Sequence, residues 1–312
     1  MSGPGPSLYD DYISRVNSVQ DYINDNLDRE LSLEELAGVA CFSVFHFHRI
    51  FRSVVKEPLY QYILRLRLEK AAGELLYRKN KSVTDIAIEC GFSDSAVFAR
   101  SFKKRYGLSS SRFRTVNFKN PRDKSKNSKD LQDPIGYLHS GKGFSEKDYA
   151  PVKGPVEIVD VREFTAAYLR YTGPYKENPD SYKELIEKIL QWALAGDLLG
   201  PDMKLFTIYH DNPEITEDDK QRTSVCLAVP EDTETQGAVG KMKIAGGKYA
   251  IGSFEISADG FPGAWNYMYG EWLPSSGYEA DDRFSFELYK NDPNTHPQNK
   301  TKTDIYLPVR PL

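Results

Sequence analysis

The sequence predicts a two-domain protein: an all-α half of two helix-turn-helix units, followed by an α+β half of two pseudo-symmetric β-α-β-β repeats. Three observations carry this reading. Apolar residues recur at helical spacing in the first part of the chain and alternate in strand-like runs such as VEIVDV and TDIYLPV in the last part. Between them NPRDKSKNSKDLQD (120–133) is nearly free of apolar residues, too little buried surface to offset the entropy of ordering, so 119–150 reads as a linker between domains at 1–118 and 151–312. Finally, each half repeats itself, which fixes the architecture before any motif is read. A shift of 50 lays LSLEELAGVACFS (31–43) on KSVTDIAIECGFS (81–93), and a shift of 51 then pairs Phe47 with Phe98, Arg49 with Arg100, Phe51 with Phe102 and Tyr62 with Phe113. In the second half a shift of 80 pairs Trp192 with Trp272, Phe206 with Phe286, Tyr209 with Tyr289 and Leu227 with Leu307.

The bulk numbers narrow the function classes. At 312 residues, 40% hydrophobic and 28% charged, the composition is that of a water-soluble globular chain, and no apolar run is long enough to span a bilayer. The opening MSGPGPSLYDDY lacks the basic and apolar segments of a secretory signal, so a cytoplasmic location is expected. Cys41, Cys90 and Cys226 are odd in number and far apart, which suggests small core residues, with no metal centre and no disulfide framework. The net charge of −4 divides into +4 over residues 1–120 and −8 beyond, compatible with one half that faces nucleic acid.

In the first half, a short helix from Leu33 to Gly38 and a tight turn lead into a helix capped by Ser43, whose core stripe is Phe47, Ile50, Phe51 and Val54. Phe45, His48, Arg49 and Arg52 fall on another face and project outward. The second copy presents Ala96, Ala99, Arg100 and Lys103 over Phe98 and Phe102. These are helix-turn-helix proportions, met twice. Arg65 and Arg67 follow one unit, and Lys104, Arg105, Arg112 and Arg114 follow the other, where phosphate contacts are expected to position the reading helices.

LSLEELAGVACFSVFHFHRIFRSVV, then YQYILRLRLEKAAGELL, then SVTDIAIECGFSDSAVFARSFKKRYGLSSSRFR closely resembles the DNA-binding domain of the AraC/XylS transcription regulators over residues 8–117. The resemblance implies two subdomains joined by a long helix, about Leu59 to Tyr77, that place two reading helices in adjacent major grooves of double-stranded DNA. It carries Phe45, His48, Arg49 and Arg100 over as base contacts, and RNA polymerase as a partner. Lys56 stands where the family usually has a small Gly, and Ser109 where it often has Pro. Ala96 and Ala99 offer little hydrogen bonding, which leaves Arg100 as the main reader of its helix and predicts asymmetric readout.

In the second half each copy reads as strand, helix, strand, turn, strand, and two copies related by a pseudo-two-fold axis are expected to leave a cleft for a small ligand. Alternation in FSFELY sets Phe286 and Leu288 on one side and Glu287 and Tyr289 on the other. With the first pair toward the helices, the carboxylate is ringed by aromatics drawn from Trp265, Tyr267, Tyr269, Trp272 and Tyr306. Residues 152–311 resemble the GyrI-like effector-binding domain through RYTGPY, the Trp ending each helix, FELY and IYLPV. The resemblance implies that Glu287 meets lipophilic, often cationic compounds, with Tyr289 and Trp265 stacking on them, and Tyr269, Trp272, Tyr171 and Tyr306 as further lining.

The expected function is a DNA-binding regulator responsive to a small effector, with no cofactor, metal or catalytic residue and no membrane partner. Two other readings stay open here: a DNA-binding protein with no ligand response, and a GyrI-like hydrolase, using a pocket Glu with Tyr, fused to a DNA-binding domain.

Overall fold

The computed structural model describes residues 8–78, 80–117, 152–174, 179–200, 203–213 and 215–312. The expected linker, 119–150, lies outside the described residues. The chain forms two compact units, one built on the N-terminal helices and one on the C-terminal sheet.

The helical unit runs α1 (Leu8–Asp25), α2 (Leu33–Val39), α3 (Val44–Val55), α4 (Leu59–Tyr77), α5 (Val83–Glu89), α6 (Ser95–Tyr106) and α7 (Ser110–Asn117). Caps start the helices where the sequence places them. Ser32 accepts from Glu35 N, Ser43 from His46 N, Ser82 from Asp85 N and Asp94 from Ala96 N, each worth about 1 kcal/mol against alanine. The duplication is visible in the packing. Phe51 meets Tyr62 edge-on at 5.4 Å, and its repeat partner Phe102 meets Phe113 edge-on at 5.3 Å. The helix α4 serves both cores in turn. Its Tyr62 and Leu66 pack with Phe47 and Phe51, while Leu68, Ala71, Ala72 and Leu75 pack with Phe98 and Phe102.

Two turns depart from strict repetition. The helices α3 and α6 both end on a left-handed residue, Lys56 (φ 62°) and Gly107 (φ 70°), so a lysine takes the conformation for which glycine is the easier choice. Within the helix-turn-helix turns, Cys41 (φ 52°) stands where the second copy has Gly91 (φ 82°). Cys41 is exposed, contrary to the expectation of a core residue, because this turn carries it out to the surface; Cys90 and Cys226 are buried.

The second unit is one antiparallel sheet carrying helices. Its strands are β1 (Val156–Val161), β2 (Phe164–Thr172), β3 (Leu205–Tyr209), β4 (Arg222–Val229), β5 (Gly240–Ile244), β6 (Gly247–Ile256), β7 (Tyr278–Ala280), β8 (Phe286–Tyr289) and β9 (Thr301–Pro311). The helix α8 (Pro179–Ala195) follows β2; α9 (Phe261–Asn266) follows β6 and continues through a π-helical turn, Tyr267–Trp272. The order is β1-β6-β9-β8-β3-β4-β2-β5, with β7 on β9. Each segment read as one opening strand is two strands that do not pair with each other, and the copies exchange them: β1 of the first pairs with β6 of the second, and β5 of the second with β2 of the first.

The two copies meet at β3 and β8, where Thr207 pairs with Glu287, its own partner at a shift of 80. The pseudo-two-fold axis therefore passes through this pair. One sheet face holds Phe206, Ile208, Cys226, Tyr249 and Phe286, all from strands, so the sheet closes over its own side chains. The other face packs Ala167, Leu169, Val225 and Leu227 against α8, and Ala250, Ile305 and Leu307 against the α9 segment. At Gly252 an added Cβ would lie 2.5 Å from Met268 Sδ, so glycine lets this segment approach the sheet.

Candidate functional site

The outward faces of α3 and α6 are exposed as expected: Phe45 (65% exposed), His48, Arg49 and Arg52 in one, Ala96, Ala99, Arg100 and Lys103 in the other. The Arg49 guanidinium lies over the Phe45 ring at 4.7 Å, which orders the side chain at the surface. Among the described residues no carboxylate pairs with Arg49, Arg52, Arg100 or Lys103, so these charges are available to phosphates and base edges.

Three of the flanking arginines are not. Arg65 is 4% exposed and bonds Glu57 (3.0 Å) and Glu69 (3.1 Å), and Arg105 donates to Glu69 at 2.7 Å. Arg67 donates to the carbonyls of Leu27 (2.9 Å) and Arg29 (2.5 Å). The expected phosphate-contact role is therefore corrected for all three. A buried guanidinium is stable here only because carboxylates or carbonyls satisfy it. Lys104 and Arg112 are exposed.

In the sheet unit Glu287 and Tyr289 face the helices, and Phe286 and Leu288 join the cluster on the opposite face, which reverses the expected sense of the strand. Glu287 is 2% exposed. Its Oε1 accepts from Trp265 Nε1 at 2.5 Å, and its Oε2 accepts from Tyr209 Oη at 3.0 Å and Tyr289 Oη at 2.9 Å. Tyr182 on α8 bonds Tyr289 Oη at 2.9 Å and also the Thr207 hydroxyl, which closes the group across the axis. Desolvation pushes the Glu287 carboxyl upward, opposed by the donations from Trp265, Tyr289 and Tyr209. It also pushes the Tyr182 and Tyr289 phenols upward, which keeps both protonated as donors. On the axis Glu287 itself is a buried, hydrogen-bonded carboxylate.

Of the residues anticipated around Glu287, Trp265 and Tyr289 touch it, and Tyr269 stacks on Trp265 (5.9 Å, 23°). Tyr306 does not join them: it stacks on Phe286 at 4.4 Å on the opposite face, because its position on β9 alternates with that of Ile305. Tyr267 packs on Phe254, and Trp272 joins the cluster under α9. Tyr171 shares a cross-strand row with Thr223 and Tyr209, one step removed from the carboxylate. Tyr209 and Tyr182 were not anticipated. Tyr209 carried a signal, its pairing with Tyr289 at the shift of 80; Tyr182 carried none, since its partner at that shift is Pro262.

A serine–histidine contact lies elsewhere on the sheet. His210 Nε2 is 2.8 Å from Ser224 Oγ, which also accepts from Arg170 Nε at 3.1 Å. Ser224 is wholly buried, and burial with the Arg170 and Arg222 charges holds the imidazole well below its usual range. A hydroxyl no substrate can reach is not a nucleophile.

Known proteins resemble the two parts separately. Residues 36–115 match a helix-turn-helix domain, and residues 154–310 match the GyrI-like small molecule binding domain. The uncharacterized HTH-type transcriptional regulator YbfP of Bacillus subtilis (strain 168) is 36% identical over 104 residues, 33% of this chain and 35% of that protein. A DNA gyrase inhibitor of Erwinia billingiae (strain Eb661) is 28% identical over 158 residues, 49% of this chain and 96% of that protein. The solved C-terminal domain of EcmrR is 20% identical with a TM-score of 0.42, covering 51% of this chain and 99% of that one. The chain spans about a third of the length of the first of these relatives. With half of its length matched, this chain belongs to the GyrI-like small-molecule-binding family and carries an AraC-type helix-turn-helix region ahead of that domain.

Proposed function

We propose that this protein is a sequence-specific transcription regulator in which α3 and α6 read double-stranded DNA and the axis of the sheet unit takes a small lipophilic cation that alters the DNA-bound state. The observation that carries this is the buried Glu287 in a chain that also presents two reading faces. A carboxylate desolvated among Trp265, Tyr209 and Tyr289 gains most from a cation that stacks on rings. RNA polymerase is the expected further partner, as for regulators of this architecture, and the cytoplasm the expected location. The chain is read as a binding protein without catalysis: the phenols beside Glu287 are donors to it, and Ser224 is inaccessible.

The test uses the full chain and an operator selected from a random duplex pool, with affinity followed by fluorescence anisotropy at fixed salt. Arg49→Ala and Arg100→Ala should each weaken binding by about 1–3 kcal/mol. The probe (biphenyl-4-yl)methylammonium should shift the affinity or the footprint in wild type and not in Glu287→Gln. Unchanged binding by both arginine variants rejects the reading faces. A ligand effect that persists in Glu287→Gln rejects the axis as the effector site.

A further inference from the structure

In this state Glu287 is occupied. Of the roughly four acceptor positions on a carboxylate, three are filled by protein donors, and the group is 2% exposed. A ligand that reaches it must displace a donor. Tyr209 and Tyr289 lie on the central strands β3 and β8, and Tyr289 is tied further to Tyr182. Trp265 lies on a six-residue helix that runs directly into a π-helical turn, an irregularity often found where function requires it. Its ring stacks on Tyr269 of the same segment and meets Tyr209 of β3 edge-on at 6.4 Å. Of the three donors to Glu287, the indole is the one carried outside the sheet.

We infer that Trp265 acts as a built-in competitor for Glu287, and that the site therefore selects cations bearing an N–H, such as protonated amines and amidinium ions, over quaternary ammonium ions of the same shape. The inference rests on Glu287 being the effector's anchor. Once the indole leaves, Oε1 loses the only donor it has among the described residues, in a place that water does not reach. A protonated amine restores that bond. A quaternary ammonium brings the same charge but no hydrogen, and a hydrogen bond to a charged group is worth roughly ten- to a hundred-fold in affinity.

Calorimetric titration of the full chain with (biphenyl-4-yl)methylammonium and its N,N,N-trimethyl analogue tests this without any substitution. The primary amine should bind about ten- to a hundred-fold more tightly. Trp265→Phe keeps a ring but removes the N–H, so both probes should bind it more tightly than wild type, with the preference retained. Equal affinities, or a tighter quaternary ion, in wild type would overturn the inference while leaving the anchor intact, provided both probes are weakened in Glu287→Gln. Weaker binding of both probes to Trp265→Phe would overturn the role of competitor. If neither probe binds, or if Glu287→Gln changes nothing, the anchor itself fails and the inference with it.

Discussion

Gly91→Ala is the sharpest single test of how the helical unit holds its second reading helix. Gly91 sits between α5 and α6 at φ 82°, where an L-residue costs about 1–2 kcal/mol. An added Cβ would also lie 2.0 Å from the Leu27 carbonyl oxygen and 2.7 Å from Arg67 Nε. Neither neighbour is free to retreat, because Arg67 Nε donates to that same carbonyl at 2.9 Å. Overpacking of this kind costs about 1–3 kcal/mol, so the loss should total about 2–5 kcal/mol. A urea titration followed by helical ellipticity should show the midpoint falling by about 1–2 M at unchanged slope, and operator affinity should fall as α6 loses its seat. Cys41→Gly, at the equivalent position of the first copy, is the control. The exposed thiol touches little, so that variant should stay within about 1 kcal/mol of wild type. A Gly91→Ala protein within about 0.5 kcal/mol of wild type would refute the reasoning, since the surface-tolerance range would then cover a position argued to be sealed by backbone.

Three other outcomes follow from the same geometry. Arg49→Ala and Arg100→Ala should leave the urea midpoint unchanged within about 0.5 kcal/mol, because both side chains are exposed; a large stability loss would show that their effect on DNA binding is indirect. Glu69→Gln should destabilise the helical unit by about 3 kcal/mol, since it withdraws the charge facing Arg65, which is 4% exposed, and Arg105; thermal melting decides, and a shift under about 1 kcal/mol would mean the network is dispensable. Glu287 has a raised folded-state pKa, so its contribution is fully present below the ordinary carboxylate range and is lost as pH rises through the raised value. Glu287→Gln should accordingly gain stability relative to wild type as pH rises through that window, and urea midpoints that keep a constant gap across it would contradict the desolvation argument.

The helical unit was largely legible because its signals are local. Caps, core stripes and outward faces follow from spacing within a dozen residues, and Ser43, Phe47 and Phe51 fall where that spacing sets them. The partners of charged side chains were not legible. A sequence shows that Arg65, Arg67 and Arg105 are basic, and only the fold shows that Glu57, Glu69 and the carbonyl of Leu27 have taken them. In the sheet unit, alternation separated Glu287 from Phe286 but left the sense undecided, because either side of a strand can face a helix until the register with Ile305 and Thr207 is known. The exchanged edge strands were hidden for a related reason: β1 and β6 are far apart in sequence, and no turn residue marks their pairing.

The axis explains why the two copies differ where they do. A residue on a two-fold axis through an antiparallel pair is paired with its own copy, with Cβ atoms about 4.5–5.5 Å apart. Had both copies kept a glutamate, two carboxylates would share a buried site, and one of them would be held protonated. Thr207 opposite Glu287 avoids this, and Tyr182 satisfies the threonine. Two residues along each strand the constraint vanishes. Tyr209 and Tyr289 are kept in both copies, and both donate to the single carboxylate. Asymmetry on the axis and symmetry beside it are thus one solution, a lone anion served by duplicated donors. In the helical unit α3 and α6 pack into separate cores, so no axis compels Ala96 and Ala99 to differ from Phe45 and His48. On the proposed reading role of these helices, that difference predicts an operator with unequal half-sites.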